Sequence, residues 1–536
     1  MGEDMQLRWK VVLSVMILVL VTGLYWPSLQ YAVFFDDVDF FNRNLLNDIF
    51  IAGPKLDLRW LPFFVTAWID LIFDDKIFAQ RLINVGLHLT TGFVLYALVK
   101  QLSDRVAPHR HNERAALAAA LLFLLHPLAV YAVGYLIQRS IMMATLFGLL
   151  ALNTYFDGLV TRKKAYFLFS ALFYLLSAFS KEHSVLIPVA ALALTPLAVP
   201  LSRQIWRQLV LPFTLYLPIA ILVIFKRLYT VGNAYEPFAE ELINLSALNA
   251  SPGVLWVLSV MTQAALYFKY LGLAVMPNPG WMSIDMRPPF AAQLGQPEYW
   301  FGVLVLCIYG VTALYWLLKG GRRGLVGYAL LAPLLLFAVE FATVRLQEPF
   351  VLYRAYLWIP VLFILIPALT YGLSDRLFWV IILVVAGVFA VASTNRLNSF
   401  SSSHALWDDA VKKLPNTLAP GSARAYTNRC QHNMRRGDLV TAIADCTHGL
   451  EANPKFKLAY QHRALAYMKQ GNTQKALADA QTMKQLYPQD LEGIILTGVI
   501  YQSAGQIDAA IENFEIGCKR DALAACVAWK ELKALR

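Results

Sequence analysis

The chain has 536 residues, of which 58% are hydrophobic and only 15% charged, and its mean hydropathy is +0.52. These values exclude an ordinary soluble enzyme and point to a polytopic membrane protein. The net charge of +11 fits Lys and Arg anchoring cytoplasmic loops and gives no reason to invoke nucleic acid, and the five cysteines show no zinc-type spacing.

Residues 1–10 are short and basic, with Arg8 and Lys10, and an apolar run follows from Val11 to Trp26. No small-residue cleavage site comes after it, so a retained signal anchor with its N-terminus inside is expected. Directly behind it stand Asp36 and Asp37, with Asp39 close by. Carboxylates at a membrane exit are costly beside hydrocarbon and need a polar site.

Further apolar runs recur at 82–100, 115–135, 141–159, 165–180, 184–200, 209–225, 300–318, 325–341, 355–372 and 377–394, which with 11–30 makes eleven expected spans. The basic clusters at Lys100/Arg105/Arg110/Arg114, Arg162/Lys163/Lys164, Arg203/Arg207 and Lys319/Arg322/Arg323 belong in the cytoplasm. Counting Leu255 to Met276 as a span would place the last cluster outside, and the segment carries Lys269, so it reads as a re-entrant or interfacial helix; twelve spans is the alternative. The outer face then holds Asp36, Asp37, Arg139, Lys181, Glu182, His183, Arg345 and Arg354, with everything after Thr394 also outside: the periplasm of a bacterium or the secretory lumen of a eukaryote.

After Ser399 the composition turns mixed and charged. Gly437, Gly471 and Gly505 are spaced by 34, as are Ala442, Ala476 and Ala510, and Pro454 and Pro488. That is the tetratricopeptide pattern of paired helices, with small residues at the crossings and Gly at the turn. The expected organisation is a membrane domain over 1–398, a linker over 399–422 and a repeat solenoid over 423–536 whose concave face holds a peptide or protein surface. Cys430 with Cys446, and Cys518 with Cys526, are placed to form disulfides in an oxidising compartment or to remain reduced core thiols.

Carboxylates (Asp36, Asp37, Asp39, Glu182, Glu340) and cations (Arg59, Arg81, Arg139, Lys181, Arg345, Arg354) thus gather on the outer face, with His88, His126 and His183 in or near spans. An isoprenoid phosphate needs Arg or Lys at headgroup depth, and a hydroxyl attacking a sugar carbon needs a carboxylate to take its proton. Lone outer-face arginines and helix-packing histidines are the ordinary reading of each residue singly. His126, ahead of Pro127, is expected to be such a packing histidine.

Short segments in order carry a resemblance. They are Phe34-Phe-Asp-Asp37, Leu58-Arg-Trp-Leu-Pro62, Phe78 to His88 with Asn84, and Phe123-Leu-Leu-His-Pro127 running to Gln138-Arg139. Ser180-Lys-Glu-His183, Tyr353-Arg354-Ala-Tyr356, and Leu406-Trp407-Asp-Asp-Ala-Val411 with Pro415-Asn416 follow. Together with the terminal repeats they resemble GT-C-fold glycosyltransferases, and more specifically the transmembrane-and-tetratricopeptide O-mannosyltransferases and their bacterial homologues. The resemblance implies an all-α fold: a GT-C-type helical domain followed by a tetratricopeptide solenoid. It implies a general base at Asp36 or Asp37, donor-phosphate binding by Arg139, Lys181 and Arg354, and a supporting site of Arg59, His88, Glu182, His183, Glu340 and Arg345. The donor would be a polyprenyl-phosphate-linked sugar, the acceptor a protein hydroxyl such as a pilin's, and the outcome inversion at the anomeric carbon. Glu182 and Glu340 would orient Lys181 and Arg345, or form structural ion pairs with them.

The chain departs from that pattern at Tyr131, where the family has Glu, and at Leu352 and Tyr353, where it has Glu and His; sugar identity is left open. No cofactor is expected, and a divalent metal, though compatible with the acidic pair, finds no third ligand at suitable spacing. The expected setting is a multi-pass protein of a bacterial inner membrane, in contact with membrane lipids, with site and repeats periplasmic. The other readings are a non-catalytic assembly factor that holds a partner on its repeats, and transfer to a glycan or lipid acceptor.

Overall fold

The computed structural model describes residues 3–42, 45–53, 55, 57–231, 251–346 and 348–535, and among them α and 3-10 helices make up the structure with no strand. The chain forms two compact units, one of residues up to 231 with 251–284 and 290–402, the other of 285–289 with 403–535.

Among the described residues of the first unit eight helices are long and apolar enough to cross a membrane: Val12–Gln30, Lys76–Val106, Leu136–Thr161, Arg203–Tyr229, Pro252–Val275, Pro297–Lys319, Gly321–Ala342 and Asp375–Ser399. A ninth arises if Asn112–Leu124 and Pro127–Val133 count as one span bent by 58°. The bend follows from Pro127, which lacks a donor and drives the preceding residue out of the helical region. His126 is extended (φ −74, ψ 127), and its Nδ1 accepts the Leu128 N–H at 3.2 Å while Nε2 meets the Ala274 carbonyl at 3.0 Å.

Three expected spans fall instead in shorter helices, Lys164–Ser180, Glu182–Ala198 and Ile359–Leu369. Lys181 breaks the first two apart with an extended backbone (φ −157, ψ 128). A 17-residue helix rises only about 26 Å, against about 30 Å of hydrocarbon. The segment expected to be re-entrant or interfacial lies in one continuous 24-residue helix, Pro252–Val275, with the Lys269 ammonium 5.0 Å from the centre of the Phe350 ring. Helix pairs close tightly where a side chain is missing. At Gly327 an added Cβ would collide with the backbone of Ala313 and Leu317 across the Pro297–Lys319 helix.

The second unit stacks helices Ser403–Lys412, Ser422–Arg435, Leu439–Ala452, Lys457–Lys469, Thr473–Leu486, Glu492–Ser503, Ile507–Lys519 and Leu523–Ala534, each packed against its neighbours in the chain. The expected linker over 399–422 is therefore partly helix: Leu406, Trp407 and Ala410 lie on one face and are buried. Gly437, Gly471 and Gly505 carry φ of +85, +80 and +75, the left-handed turn that Gly adopts without a Cβ clash. Asp438 and Asn472, also 34 apart, cap the following helices through Thr441 N and Lys475 N at 3.1 Å each.

The repeat also carries an ionic rung. Arg429 grips Asp445 at 3.0 and 2.6 Å, and Arg463 grips Asp479 at 2.9 and 2.7 Å. In the third repeat Thr497 and Asn513 hold those positions. Distant in sequence, Asp285 is nearly fully buried and takes Arg287 Nε at 2.7 Å and Arg424 Nε at 3.1 Å.

Cys430 pairs with Cys446 and Cys518 with Cys526, each bridge joining two consecutive helices, while Cys307 is free. Closing the 16-residue separation between Cys430 and Cys446 is worth about 3 kcal/mol on the chain-entropy account. The C430S/C446S double variant is therefore expected to lower the stability of the second unit by that order in denaturant titration, and reductant to have the same effect on the unsubstituted chain.

Candidate functional site

The acidic pair leaves the first helix through the 3-10 turn Trp26–Gln30 and is aimed by one unusual residue. Phe35 has φ +52, a left-handed conformation uncommon for an aromatic side chain. The helix starting at Asp36 then turns the two carboxylates into different environments: Asp36 is exposed and Asp37 is fully buried. The Asp39 side chain lies outside the described residues.

Asp37 is an anchor. Its two oxygens accept the Leu136 N–H at 3.1 Å and the Ile137 N–H at 2.9 Å, which fastens the acidic loop to the start of the Leu136–Thr161 segment. Burial pushes its carboxyl up to about 7, against the opposing pull of those two donors and of Arg81. Arg81 holds the same loop from below, donating to the carbonyls of Tyr31 (3.1 Å), Gly134 (3.0 Å) and Ala32 (2.6 Å).

Asp36 is held differently. Its Oδ2 accepts the Tyr135 hydroxyl at 3.0 Å. Burial first, then Asp36 and Asp37, push the Tyr135 phenol far above its ordinary value, so it remains a protonated donor. Tyr135 packs 6.2 Å from the Tyr353 ring, and the Lys181 ammonium sits 5.1 Å from the centre of that same ring. Tyr353 thus stands between Tyr135, which holds the Asp36 carboxylate, and Lys181.

Lys181 sits at the end of Lys164–Ser180, where the chain leaves the helix, and is nearly buried. Its Nζ donates to Gln138 Oε1 at 2.9 Å and Ser140 Oγ at 3.4 Å, both neutral groups. Burial, and then Arg59, push it down to about 7. Around it the remaining charges are mutually paired. Arg59 donates to Glu182 Oε2 through Nε at 3.0 Å. Arg345 lies 2.9 Å from Glu340, and Arg354 bridges Glu340 and Glu348 at 3.2 Å each. His183 lies between two carboxylates, 3.8 Å from Glu182 and 3.5 Å from Glu340, contacts too long for hydrogen bonds.

Asp36, Arg59, Lys181, Glu182, His183, Glu340, Arg345 and Arg354 therefore meet at one end of the helical unit. Three expected site residues do not join them: Asp37, which is buried on the Leu136 and Ile137 N–H groups, Arg139 and His88. Arg139 is buried and committed to neutral groups: Asn84 Oδ1 at 2.8 Å, Thr66 Oγ1 at 2.7 Å, Gln80 Oε1 at 2.6 Å and the Gln80 carbonyl at 2.8 Å. As first residue of its helix it faces inward, while its neighbours Gln138 and Ser140 reach Lys181. His88 lies deeper still, between the Tyr356 hydroxyl at 2.8 Å and the Leu124 carbonyl at 3.0 Å, among the rings of Tyr25 and Phe123.

Tyr135, Tyr353, Gln138, Ser140 and Glu348 are the participants that sequence reasoning missed as site residues. Gln138 and Tyr353 stood within recognised motifs, whereas Tyr135, Ser140 and Glu348 had no local signal. Among the described residues no group of three or more His, Cys, Asp or Glu side chains is arranged to hold a metal ion. No protein-family model matches the chain, and no curated protein matches it.

Proposed function

We propose that the chain is an inverting membrane glycosyltransferase of GT-C type, moving a sugar from a polyprenyl-phosphate donor to a hydroxyl of a protein acceptor. The observation that carries this reading is the pairing of one exposed carboxylate, Asp36, with one nearly buried lysine whose hydrogen bonds go to neutral groups, Lys181, across Tyr353. Asp36 takes the acceptor proton as the hydroxyl oxygen bonds to the anomeric carbon. The bond from that carbon to the phosphate oxygen breaks, and its electron pair leaves with the phosphate, which Lys181 stabilises. Arg354 and Arg59, already engaged with carboxylates, shape the site and set the field around the lysine. Arg139 is reassigned from phosphate ligand to scaffold.

The second unit is read as a tetratricopeptide-type solenoid that presents the acceptor. Its two disulfides favour an oxidising compartment, which supports reading the solenoid, and with it the site, as extracytoplasmic, in a bacterium on the periplasmic side of the inner membrane. The test is the intact mass of secreted and surface proteins from cells lacking the chain. A glycan mass lost on deletion and restored by the unsubstituted chain, but not by D36N, supports the reading; restoration by D36N overturns it.

One observation favours the non-catalytic alternative of a membrane anchor with a partner-holding stack: Arg59, Arg345 and Arg354 are engaged in ion pairs with carboxylates, as in a structural network. That reading predicts that D36N retains every phenotype of the unsubstituted chain.

A further inference from the structure

A second charged cluster lies at the opposite end of the first unit. Helix Lys76–Val106 begins beside Arg81, which holds the acidic loop, and its 31 residues rise about 46 Å to the far end. There the turn 107–111, the start of Gly321–Phe337 and the turn 370–374 come together around Tyr371. The Arg322 guanidinium stacks on the Tyr371 ring at 3.8 Å, and the His109 ring packs 4.8 Å away on the same tyrosine. Arg110 Nε lies 2.9 Å from His111 Nε2.

Negative charge at this cluster is scarce. Asp375, a carboxylate in direct contact with it, is engaged by Arg114 and lies 3.6 Å from His111. Nearby Asp104 is taken by Lys100 at 2.6 Å, and Glu113 accepts the Tyr96 hydroxyl. Among the described residues neither Arg110 nor Arg322 pairs with a carboxylate, and both are exposed.

The surroundings identify the depth. Lys319 sits 5.0 Å over Tyr315, and Arg114 sits 4.4 Å over Phe378, so cations and aromatic rings alternate along this rim. Leu369 and Leu377 beside it are 67% and 48% exposed. Basic and aromatic side chains bordering exposed leucines at the ends of apolar helices are the arrangement of a bilayer headgroup layer.

We propose that Arg322, stacked on Tyr371, and Arg110, on the turn whose His109 packs on the same ring, form a binding site for the phosphate of an anionic phospholipid headgroup, whose acyl chains lie along Leu369 and Leu377. The lipid supplies the negative charge that the three converging turns lack. This site is independent of the sugar-transfer reading.

The test is native mass spectrometry of the full chain released from mixed micelles of phosphatidylglycerol and phosphatidylcholine. The unsubstituted chain is expected to retain phosphatidylglycerol preferentially. R110Q and R322Q are each expected to weaken that retention roughly fivefold. K163Q, an exposed cation at another turn, leaves it unchanged. Equal retention of the two lipids by the unsubstituted chain overturns the proposal without any variant. So does retention of phosphatidylglycerol by the double variant at the unsubstituted level. Displacement of the lipid by inorganic phosphate at equal concentration would assign the site to free phosphate and overturn the bilayer assignment.

Discussion

Replacing Asp36 with Asn is expected to reduce sugar transfer by about 10²–10⁴-fold while leaving thermal unfolding unchanged. Asp36 is exposed and makes one described hydrogen bond, from Tyr135, which an amide oxygen also accepts. What disappears is the group that takes a proton. Asp37→Asn is expected to behave in the opposite way. The two Asp37 carboxyl oxygens each accept a backbone N–H, and each keeps a lone pair for it whether or not the group is protonated, whereas an amide offers one acceptor and sets its own N–H₂ against the second donor. Leaving a buried donor unmatched costs about 1–3 kcal/mol, so D37N should lower the unfolding midpoint and lose activity only as folded protein is lost.

Linkage gives D37N a pH signature. Burial raises the Asp37 carboxyl from its ordinary 3.8 to about 7 in the folded chain. A raised folded value means a stabilising contribution that is complete below about 3.8 and lost as pH climbs through 7. The variant has no such titration. The stability gap between the unsubstituted chain and D37N is therefore expected to narrow as pH rises over that window. A gap that widens, or a D36N protein that unfolds early, would mean the two carboxylates have been assigned the wrong way round.

The second large effect concerns Lys181. Removal of its ammonium in K181M should lower kcat/KM by about 10²–10³, the range for loss of one charge-stabilising donor. Its pH dependence distinguishes a ligand from a packing residue. Burial, with Arg59 next, brings the lysine down to about 7 in the unliganded chain, so the ammonium is lost as pH rises through that value. The kcat/KM profile, which reports the free enzyme, should fall on its alkaline side near pH 7. The kcat profile should hold to higher pH, because a bound phosphate favours the charged form. K181R stays charged throughout and should lack the alkaline fall, even with a lower maximum. An alkaline limb that persists unchanged in K181R would assign it to another group.

Much of the architecture could be read locally. The period of 34 in Gly, Ala and Pro anticipated the helix pairs, because each repeat is one self-similar unit whose turn and crossing residues recur in register. The Arg and Asp of the ionic rungs recur at the same period and were legible by the same test. The helix over Ser403–Lys412 was also legible, in the spacing of Leu406, Trp407 and Ala410. Span boundaries were less so, because hydropathy averages over a break that a single residue makes, as at Lys181 and Pro127.

The membrane character, the gathering of charge at one end and the acidic motif after the first helix follow from composition and order along the chain, since hydropathy and charge are properties of short segments. The division of labour within the site does not. Asp36 and Asp37 are adjacent and chemically identical, and only the backbone N–H groups of Leu136 and Ile137 make one of them an anchor. Arg139 and Lys181 are both outer-end cations. Their roles part because Arg139 turns into a cage of Gln80, Asn84 and Thr66, while Lys181 lies against Tyr353. His88 meets Tyr356 across 268 residues, and Arg59 meets Glu182 across 123. Partners so far apart in the chain are chosen by helix packing, and whether a charge is paired, buried or exposed to a substrate is set by those partners.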